Sequence, residues 1–274
     1  FVAWTYKEQT KFFDIVTYTC PSNNDANVSH NLGAVPAMII GKRTDTSGNW
    51  MVWHINTGMS NGGVTGLSLN NTASAAFTGV QSDQGINSST FNTGYVLSSD
   101  SIKAVVAGGE YVFYLFAHDT ASDGLIQCGS YTGNGASGNA VTLGWKPQFI
   151  IIKSSTGTRN WIMFDSARGM TTGNDPYLLP NTNGAEGTTT DWLNATATGF
   201  ELQAENSVNA SGENFIYMAI RSASAPAITW PTSIEWTQGT TPKTPAEGAT
   251  DVYTFTTDDG GTTYTGIQSI DTAS

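Results

Sequence analysis

Short apolar runs separated by polar turns dominate the pattern of this chain. The runs "AMII" (37–40) and "FIII" (149–152) are rich in β-branched residues, and a proline shortly before each blocks helix propagation from upstream. The segments "NWMVWH" (49–54) and "NWIMFD" (160–165) follow polar turns and are apolar on both faces, which indicates hairpin partners of buried strands. No long segment keeps a helical period without an interrupting Gly, Pro or Asn. The pattern therefore predicts strands throughout.

The same pattern occurs twice. The segment "NLGAVPAMIIGKRTDTSGNWMVWH" (31–54) returns as "TLGWKPQFIIIKSSTGTRNWIMFD" (142–165), with leucine, glycine, proline, lysine and tryptophan in register. Four further pairs follow in the same order, namely 15–20 with 128–133, 67–70 with 178–181, 93–97 with 198–202, and 108–117 with 211–220. Insertions and deletions fall between the matching pieces, where loops tolerate them. We therefore predict two copies of one module.

The longest apolar runs, "EYVFYLFAH" (110–118) and "ENFIYMAIR" (213–221), are too aromatic to favour helices and predict the central strand of each module. Glu110 and Glu213 fall at matching positions just ahead of these runs. Short strands between regular turn signals are typical of antiparallel sandwiches. We predict an all-β fold of two tandem antiparallel β-sandwich modules, of jelly-roll or lectin-like type, followed by a C-terminal β-hairpin segment.

The length of 274 residues agrees with about two domains. We predict an N-terminal connecting segment over 1–11, module 1 over 12–118, module 2 over 119–222, and an extended C-terminal segment with a hairpin over 223–274. The hairpin is indicated by "DDGG" (258–261), because Asp-Gly and Gly-Gly supply the positive φ that a tight turn needs. From the repeat we also expect the second module to fold independently.

Composition supports a β-rich protein and limits its cysteine chemistry. Only 12% of the residues are charged and 11% are aromatic, and glycine is abundant. The two cysteines, Cys20 and Cys128, fall at non-equivalent positions of the two copies, whereas a framework disulfide would be repeated in each module. We favour two buried thiols and leave an inter-module disulfide as the alternative.

Charge and hydropathy exclude two classes of partner. The net charge is -11, and the 11 basic residues form no cluster of the kind that binds phosphate groups. We therefore predict no nucleic-acid partner. No run of apolar residues is long enough to span a bilayer as a helix, and we predict no membrane insertion.

Catalytic motifs are weak. The "GMSNG" loop (58–62) has the spacing of a nucleophile elbow but lacks its strand-to-helix context, and "GNGASG" (133–138) opens no helix. The histidines His30, His54 and His118 lack the spacing of zinc ligands. Paired carboxylates for glycoside hydrolysis remain an alternative, because such a pair is assembled across strands. We predict no enzyme activity, no cofactor and no metal site.

Positions that are identical in both copies are most simply requirements of the fold. Trp50 and Trp161 are therefore interpreted as scaffold rather than as ligand platforms. Divergent positions are where a function specific to one module would lie. Trp53 and His54 in the first copy stand opposite Phe and Asp165 in the second.

Aromatic residues of the second copy are the candidates for ligand binding. Trp145 lies in the turn "LGWKP" where the first copy has Ala34, and Tyr177 and Trp192 lie in a loop-rich region. Because aromatic faces beside planar amides hold sugars, we predict a glycan-contacting patch. Its residues are Trp145, Tyr177 and Trp192, with Trp53 and His54 as further candidates. The alternative is that these rings fill subunit interfaces or contact the hairpin.

The repeated pattern "FFDIVTYTC…HNLGAVPAMIIGKR…NWMVWH…LSLN…YVFYLFAH", followed by "ITWPTSIEW…TDVYTFTTDDGGTTYTG", resembles a repeated β-domain of virion structural and tail-fibre proteins of tailed bacteriophages, especially marine and cyanobacterial ones. The resemblance covers residues from about 4 to 268. The second copy departs from the pattern, with Val141 and Asp165 in place of the two histidines.

The resemblance implies a component of the virion, made in the host cytoplasm. It suggests a tail fibre or receptor-binding subunit that contacts the host surface, with a surface glycan and other virion proteins as partners. Such subunits are commonly trimeric, an expectation by analogy. Two alternatives stay open: a capsid decoration or fibre-stem protein with no ligand, and a depolymerase of surface polysaccharide.

Overall fold

The structure, a computed structural model, describes residues 3–21, 27–57, 64–74, 77–79, 86–92, 107–170, 173–221, 232–237 and 252–270. It divides into two compact units, Phe1–Ser222 and Ala223–Ser274. The first unit holds both copies of the repeat. The prediction of an all-β fold is confirmed, since nearly every regular element of the described residues is a strand. The "GMSNG" loop and the repeat segment 93–97 lie outside the described residues.

The first module contributes strands β1 (Phe13–Thr19), β2 (Asn27–Ser29), β3 (Met38–Arg43), β4 (Met51–His54), β5 (Val64–Ser68), β6 (Phe77–Gly79), β7 (Thr90–Asn92) and β8 (Glu110–Phe116). Its main sheet is antiparallel, with the strand order β1-β8-β3-β4-β5-β6. Strands β2 and β7 form a separate antiparallel pair. A 3₁₀ turn, Ile55–Thr57, follows β4.

The second module contributes β9 (Ile126–Thr132), β10 (Asn139–Thr142), β11 (Pro147–Ser154), β12 (Ile162–Asp165), β13 (Leu193–Thr196), β14 (Gly199–Leu202) and β15 (Asn214–Arg221). Its main sheet has the order β9-β15-β11-β12, and a small sheet has the order β10-β14-β13. One helical turn, Asn206–Asn209, precedes β15. The order β9-β15-β11-β12 reproduces β1-β8-β3-β4, so the sequence repeat is also a repeat of strand topology.

The pairing registers of the two main sheets match residue by residue. Lys42 in β3 and Lys153 in β11 occupy the same place, each opposite a β-branched residue of the central strand. With this register, each residue of β8 corresponds to a residue of β15 that lies one position later than the sequence alignment gave. Glu110 corresponds to Asn214, whose carbonyl oxygen accepts the equivalent backbone hydrogen bond. The predicted equivalence of Glu110 with Glu213 is wrong. The fold preserves the alternation of inward and outward side chains, whereas the sequence alignment matched residue identities.

The repeated Asn-Trp dipeptide fixes a turn in each module. In the first module, Asn70 Oδ1 accepts the backbone N–H of Trp50 at 2.9 Å, and its Nδ2 donates to Asn49 Oδ1 at 2.8 Å. The second module repeats both bonds at the same distances, with Asn181 in the place of Asn70. The dipeptide is therefore retained because it ties the start of β4 or β12 to the next turn.

Two buried clusters form the core of the first unit. One lies inside the second module and includes Ile150, Ile152, Ile162, Phe164, Leu193, Phe200, Leu202 and Phe215. The other combines first-module residues with the opposite face of the second module's main sheet, contributed by Ile126, Cys128, Phe149, Ile151, Trp161, Ile216, Met218 and Ile220. Strand β11 is buried on both faces, which explains its unbroken apolar run. The two modules are thus repeats within one compact unit.

The second unit holds β16 (Ile234–Trp236), β17 (Val252–Thr256) and β18 (Tyr264–Ile270). Strands β17 and β18 form the predicted antiparallel hairpin, and β16 pairs parallel with β18. Gly260 and Gly261 have φ values of 75° and 93°, as the turn requires. The Asp259 carboxylate accepts the backbone N–H groups of Thr263 and Thr262 at 3.0 Å and the Thr257 hydroxyl at 2.9 Å, and these bonds lower its pKa to about 2. The turn is therefore fixed by local hydrogen bonds.

Candidate functional site

The predicted glycan-binding rings of the second module lie in its core. Trp145 and Trp192 are buried, and Tyr177 is half-buried with its ring 4.8 Å from that of Trp192, edge to face. The prediction assumed rings that remain exposed on loops. That premise is wrong, because these rings pack on the apolar cluster inside the second module. Glycan binding by these residues stays a prediction, without an exposed aromatic face to support it.

Trp53 and His54 lie at the end of β4 and are also buried. Trp53 belongs to the core, whereas His54 reaches the second module, with Nε2 at 3.0 Å from the carbonyl oxygen of Tyr217. Its Nδ1 accepts the backbone N–H of Asn56 at 3.2 Å, so the neutral ring carries its proton on Nε2 and donates to Tyr217. Burial, with a smaller contribution from nearby His118, lowers the pKa of His54 to about 4, against the hydrogen bond to Tyr217, which raises it. His54 is thus a neutral link between modules.

All three histidines bind backbone groups in the same way. Nδ1 of His30 accepts the N–H of Leu32 at 3.3 Å, and Nδ1 of His118 accepts the N–H of Cys128 at 3.2 Å. Neither Cys128 nor Cys20 forms a disulfide, and both are buried. Within the described residues, no group of three His, Cys, Asp or Glu side chains could hold a metal ion. The histidines support the fold as hydrogen-bonding groups.

Trp161 and Lys153 complete the junction between the modules. The indole Nε1 of Trp161 donates to the carbonyl oxygen of Ser68 at 2.9 Å. The fully buried Lys153 ammonium donates to the carbonyl oxygens of Thr72 at 3.2 Å and Ser154 at 2.7 Å. Burial lowers the pKa of Lys153 to about 8. These side chains of the second module therefore bind the turn that follows β5 of the first.

The corresponding face of the first module is open over only part of its area, since Met38, Val52 and His54 on the same side of the sheet are buried. Its open part consists of Ile15, Thr17, Ile40, Lys42, Trp50, Val112 and Tyr114, which we call the Trp50 face. Ile15 and Trp50 are 39% and 36% exposed, whereas their equivalents Cys128 and Trp161 are 2% and 1% exposed. Equivalent positions of the two modules thus differ in what covers them.

Side chains of the Trp50 face support one another. The Trp50 ring lies 6.3 Å from the ring of Tyr114, and the Lys42 ammonium lies 6.0 Å from the centre of the Trp50 ring. The same ammonium donates to the carbonyl oxygen of Gly48 at 2.6 Å, in its own module. The face combines aromatic rings, which are enriched at contact surfaces, with one lysine beside the Trp50 ring.

The N-terminal segment crosses both modules. The Trp4 ring lies 5.8 Å from that of Phe149, and its Nε1 donates to Asp165 Oδ2 at 3.2 Å, both in the second module. The Tyr6 ring lies 6.0 Å from that of Phe116 in the first module. Burial, together with the Asp165 charge, raises the pKa of Tyr6 to about 12. The segment therefore braces the pair of modules.

A cleft of about 300 Å³ lies beside this brace. Arg168 donates from Nε to Asp165 Oδ2 at 2.6 Å and from Nη1 to Glu186 Oε1 at 2.9 Å. Its guanidinium lies 5.5 Å from the centre of the Trp4 ring. The cleft charges are thus paired with one another. Asp165 and His54, the divergent pair of the sequence comparison, occupy equivalent places and serve structural contacts in both modules.

Sequence reasoning did not find the Trp50 face. Trp50 and Trp161 are the same residue in the same motif, and the motif carries no information about which copy is covered. A weak signal lies in the central strands, where β8 has Tyr114 at the place that Met218 has in β15. A tyrosine hydroxyl favours a position that stays partly in contact with water, whereas the methionine side chain has no such group.

The geometry defines an all-β unit of two stacked modules with a shared core. Residues 5–224 match the family described as a domain of unknown function, DUF7483, and the chain belongs to that family. One match spans both modules, in agreement with their shared core. No curated protein and no solved structure matches the chain. In the described part of the chain, no helix is long and apolar enough to cross a membrane.

Proposed function

We propose that the protein is a non-enzymatic structural component of a tailed-bacteriophage particle, in the form of a tail fibre or receptor-binding subunit. The observation that carries this proposal is the junction between the modules. His54, Lys153 and Trp161 are buried there, and each binds backbone of the neighbouring module. Such an arrangement holds two β-modules in one fixed geometry, which a fibre subunit needs.

The sequence resemblance supports the same proposal. The residues that carry it fall on β1, β3, β4 and β8 and their repeats, and on the hairpin of the second unit. The low content of charged residues, 12%, suits an extracellular β-structure that depends on packing rather than on ion pairs. In this proposal the subunit is oligomeric, as a trimer, and contacts other virion proteins and a host surface glycan.

Immunogold electron microscopy of intact particles tests the proposal. An antibody raised against the recombinant chain is applied to particles of the phage that encodes it. We expect label on the tail or its fibres. Particles that carry no label at all, alongside labelled purified protein as the positive control, would contradict a virion role.

The burial of Trp145 and Trp192 favours a second candidate, a fibre-stem or capsid-decoration protein with no ligand. Label confined to the capsid shell supports the decoration protein. Competition separates a stem from a receptor-binding subunit: recombinant chain added in excess reduces phage adsorption to host cells only if it binds the receptor.

A depolymerase is the enzymatic alternative, and a direct assay distinguishes it. The purified chain is incubated with host surface polysaccharide, and released reducing ends are measured against a buffer control. We expect no release above the control. Release that is proportional to protein concentration would contradict the non-enzymatic proposal.

A further inference from the structure

We propose that the cleft beside Trp4, which lies between residues 3–6 and the second module, binds a neutral sugar ring. The proposal deepens the host-surface contact of the proposed function, and it rests on that function only for the source of the sugar. It places the contact on residues other than the three rings predicted from the sequence. The lining of the cleft, its charges and one irregular strand position carry the argument.

The deepest part of the cleft is apolar. Phe149 and Ile220 are 5% and 4% exposed, and the rings of Trp4 and Tyr6 beside them are half-buried. The faces of aromatic rings carry partial negative charge, which attracts the weakly positive C–H bonds of a pyranose ring. The cleft volume of about 300 Å³ lies at the lower end of the range of about 300–1,000 Å³ for small-molecule sites. The cleft is therefore suited to one compact ring.

Three polar side chains of the cleft have no hydrogen-bond partner among the described residues. They are the hydroxyl of Tyr6, the amide of Gln148 and the hydroxyl of Ser166. Each of these groups can both donate and accept a hydrogen bond. A sugar presents several hydroxyls with the same double capacity around one ring. The polar groups therefore match a polyhydroxylated ligand in number and in kind.

The charges of the cleft are already paired, and this decides between neutral and anionic sugars. Asp165 Oδ2 accepts Trp4 Nε1 at 3.2 Å and Arg168 Nε at 2.6 Å, and its Oδ1 accepts the backbone N–H of Arg168 at 3.0 Å. Arg168 Nη1 donates to Glu186 Oε1 at 2.9 Å. Two carboxylates thus share one guanidinium, which leaves one negative charge in excess. An anionic sugar is repelled, and a neutral one is not.

The Gln148 amide is positioned by an irregularity of strand β11. The register of β11 against β15 shifts between Pro147 and Phe149, so Gln148 is an extra residue in the strand, a β-bulge. Such a bulge redirects the side chain of the extra residue. In the first module β3 pairs with β8 without a shift, and Ala37 stands in the place of Gln148. The amide is therefore specific to the second copy.

Saturation-transfer difference NMR of the full chain tests the ligand class. The probes are the methyl glycosides of glucose, galactose, mannose and N-acetylglucosamine, with glucuronic acid as the anionic comparison. We expect at least one neutral probe to bind with a Kd on the order of 1–10 mM, the range for a ligand of about a dozen non-hydrogen atoms. Binding of none of the neutral probes, or a preference for glucuronic acid, would overturn the proposal.

Two variants test the cleft itself. Gln148→Ala removes the amide, and we expect binding to weaken by about tenfold, the effect of one lost hydrogen bond to the ligand. Ala167→Trp places a large ring at an exposed position of the cleft lining without deleting a buried contact, and we expect it to abolish binding. The matched control is Gln9→Ala, because Gln9 is an exposed glutamine outside the cleft. Sugar binding by either cleft variant with the affinity of the control assigns the sugar to another surface and overturns the proposal.

Competition for adsorption separates this proposal from the proposed function. An excess of the wild-type chain or of the Ala167→Trp chain is added to phage and host cells. We expect the wild-type chain to reduce adsorption and the variant to leave it unchanged. A wild-type chain that does not compete contradicts the receptor role, while the NMR titration decides the cleft. Equal competition by both chains supports the receptor role and removes the cleft as its contact site.

Discussion

Trp50 and Trp161 occupy the same place in the two copies, and the same amide holds their backbone. Their indole rings have different surroundings. Trp161 fills the core between modules and donates to the Ser68 carbonyl, while the Trp50 ring lies beside Tyr114 and Lys42 of its own face. Both tryptophans were expected to be scaffold residues. The structure makes Trp161 a core residue and Trp50 a surface residue.

Alanine substitution measures this difference. Trp161→Ala leaves a cavity and the Ser68 oxygen without its indole donor, so we expect a loss of about 3–5 kcal/mol in the free energy of unfolding. Trp50→Ala removes a ring that is one-third exposed, and we expect a loss of about 1 kcal/mol or less. Urea titration of dilute protein gives both values. Equal losses would contradict the assignment of Trp50 to the surface.

His54 makes stability depend on pH. Its pKa falls from 6.5 in the unfolded chain to about 4 in the folded protein, so between these values the unfolded chain binds a proton that the folded protein does not. The free energy of unfolding therefore decreases as the pH falls through this window, by about 3 kcal/mol in total. His30, whose pKa burial also lowers, acts in the same direction.

His54→Gln isolates this contribution. Glutamine can donate to the Tyr217 carbonyl but does not titrate. We expect the variant to be less stable than the wild type at pH 7, and its free energy of unfolding to decrease less on acidification. Chemical denaturation at several values between pH 7 and pH 4 gives the two slopes. Parallel pH profiles of variant and wild type would show that His54 is not the residue responsible.

At the scale of elements, the second main sheet is buried on both faces. Strands β11 and β15 face the second module's own core on one side and the first module on the other. Separation from the first module exposes Ile151, Trp161, Ile216 and Met218 together. The expectation that residues 119–222 fold independently must therefore allow for this newly exposed apolar surface.

A fragment of residues 119–222 tests this expectation. We expect a β-type circular dichroism spectrum, because the sheet order is complete, together with self-association and binding of a hydrophobic dye, because the interface is exposed. Residues 1–222 serve as the control and should bind little dye. A monodisperse fragment that binds no dye would contradict the shared core, and a helical spectrum would contradict the fold.

Much of this element structure could be predicted from the sequence. Periodicity, prolines and turn residues indicated the strands, and the internal repeat predicted that β9, β15, β11 and β12 would follow the first set. The sequence alignment paired Glu110 with Glu213 instead of Asn214, because a chance match of two glutamates outweighed the alternation of side chains along the strand. The all-β class is confirmed in the described residues.

The candidate site was harder to predict for a physical reason. Exposure of a ring depends on contacts between distant segments, which neither composition nor local pattern contains. Trp145 and Trp192 were expected to be exposed because they lie in loops, yet they lie on the core of their module. Trp50 was assigned to the core because it is repeated, yet it lies at the surface.

At the scale of the whole molecule, the chain separates into a large unit and a small one. The family match ends at residue 224, close to the boundary after Ser222. We expect a chain shortened to residues 1–222 to keep its cooperative unfolding, with Tm shifted by less than about 4 °C, the effect of about 1 kcal/mol in a protein of this size. Differential scanning calorimetry measures this shift. Loss of the transition would show that the large unit requires the small one.

The N-terminal brace has a mechanical consequence. A pulling force applied ahead of Trp4 reaches its ring contact with Phe149 and its single hydrogen bond to Asp165 before it reaches the seven-residue ladder of β1 with β8. The weak attachment and the strong ladder are in series. We expect the brace to detach first under load and to extend the chain by a few residues while both main sheets stay intact, as an extensible tether does.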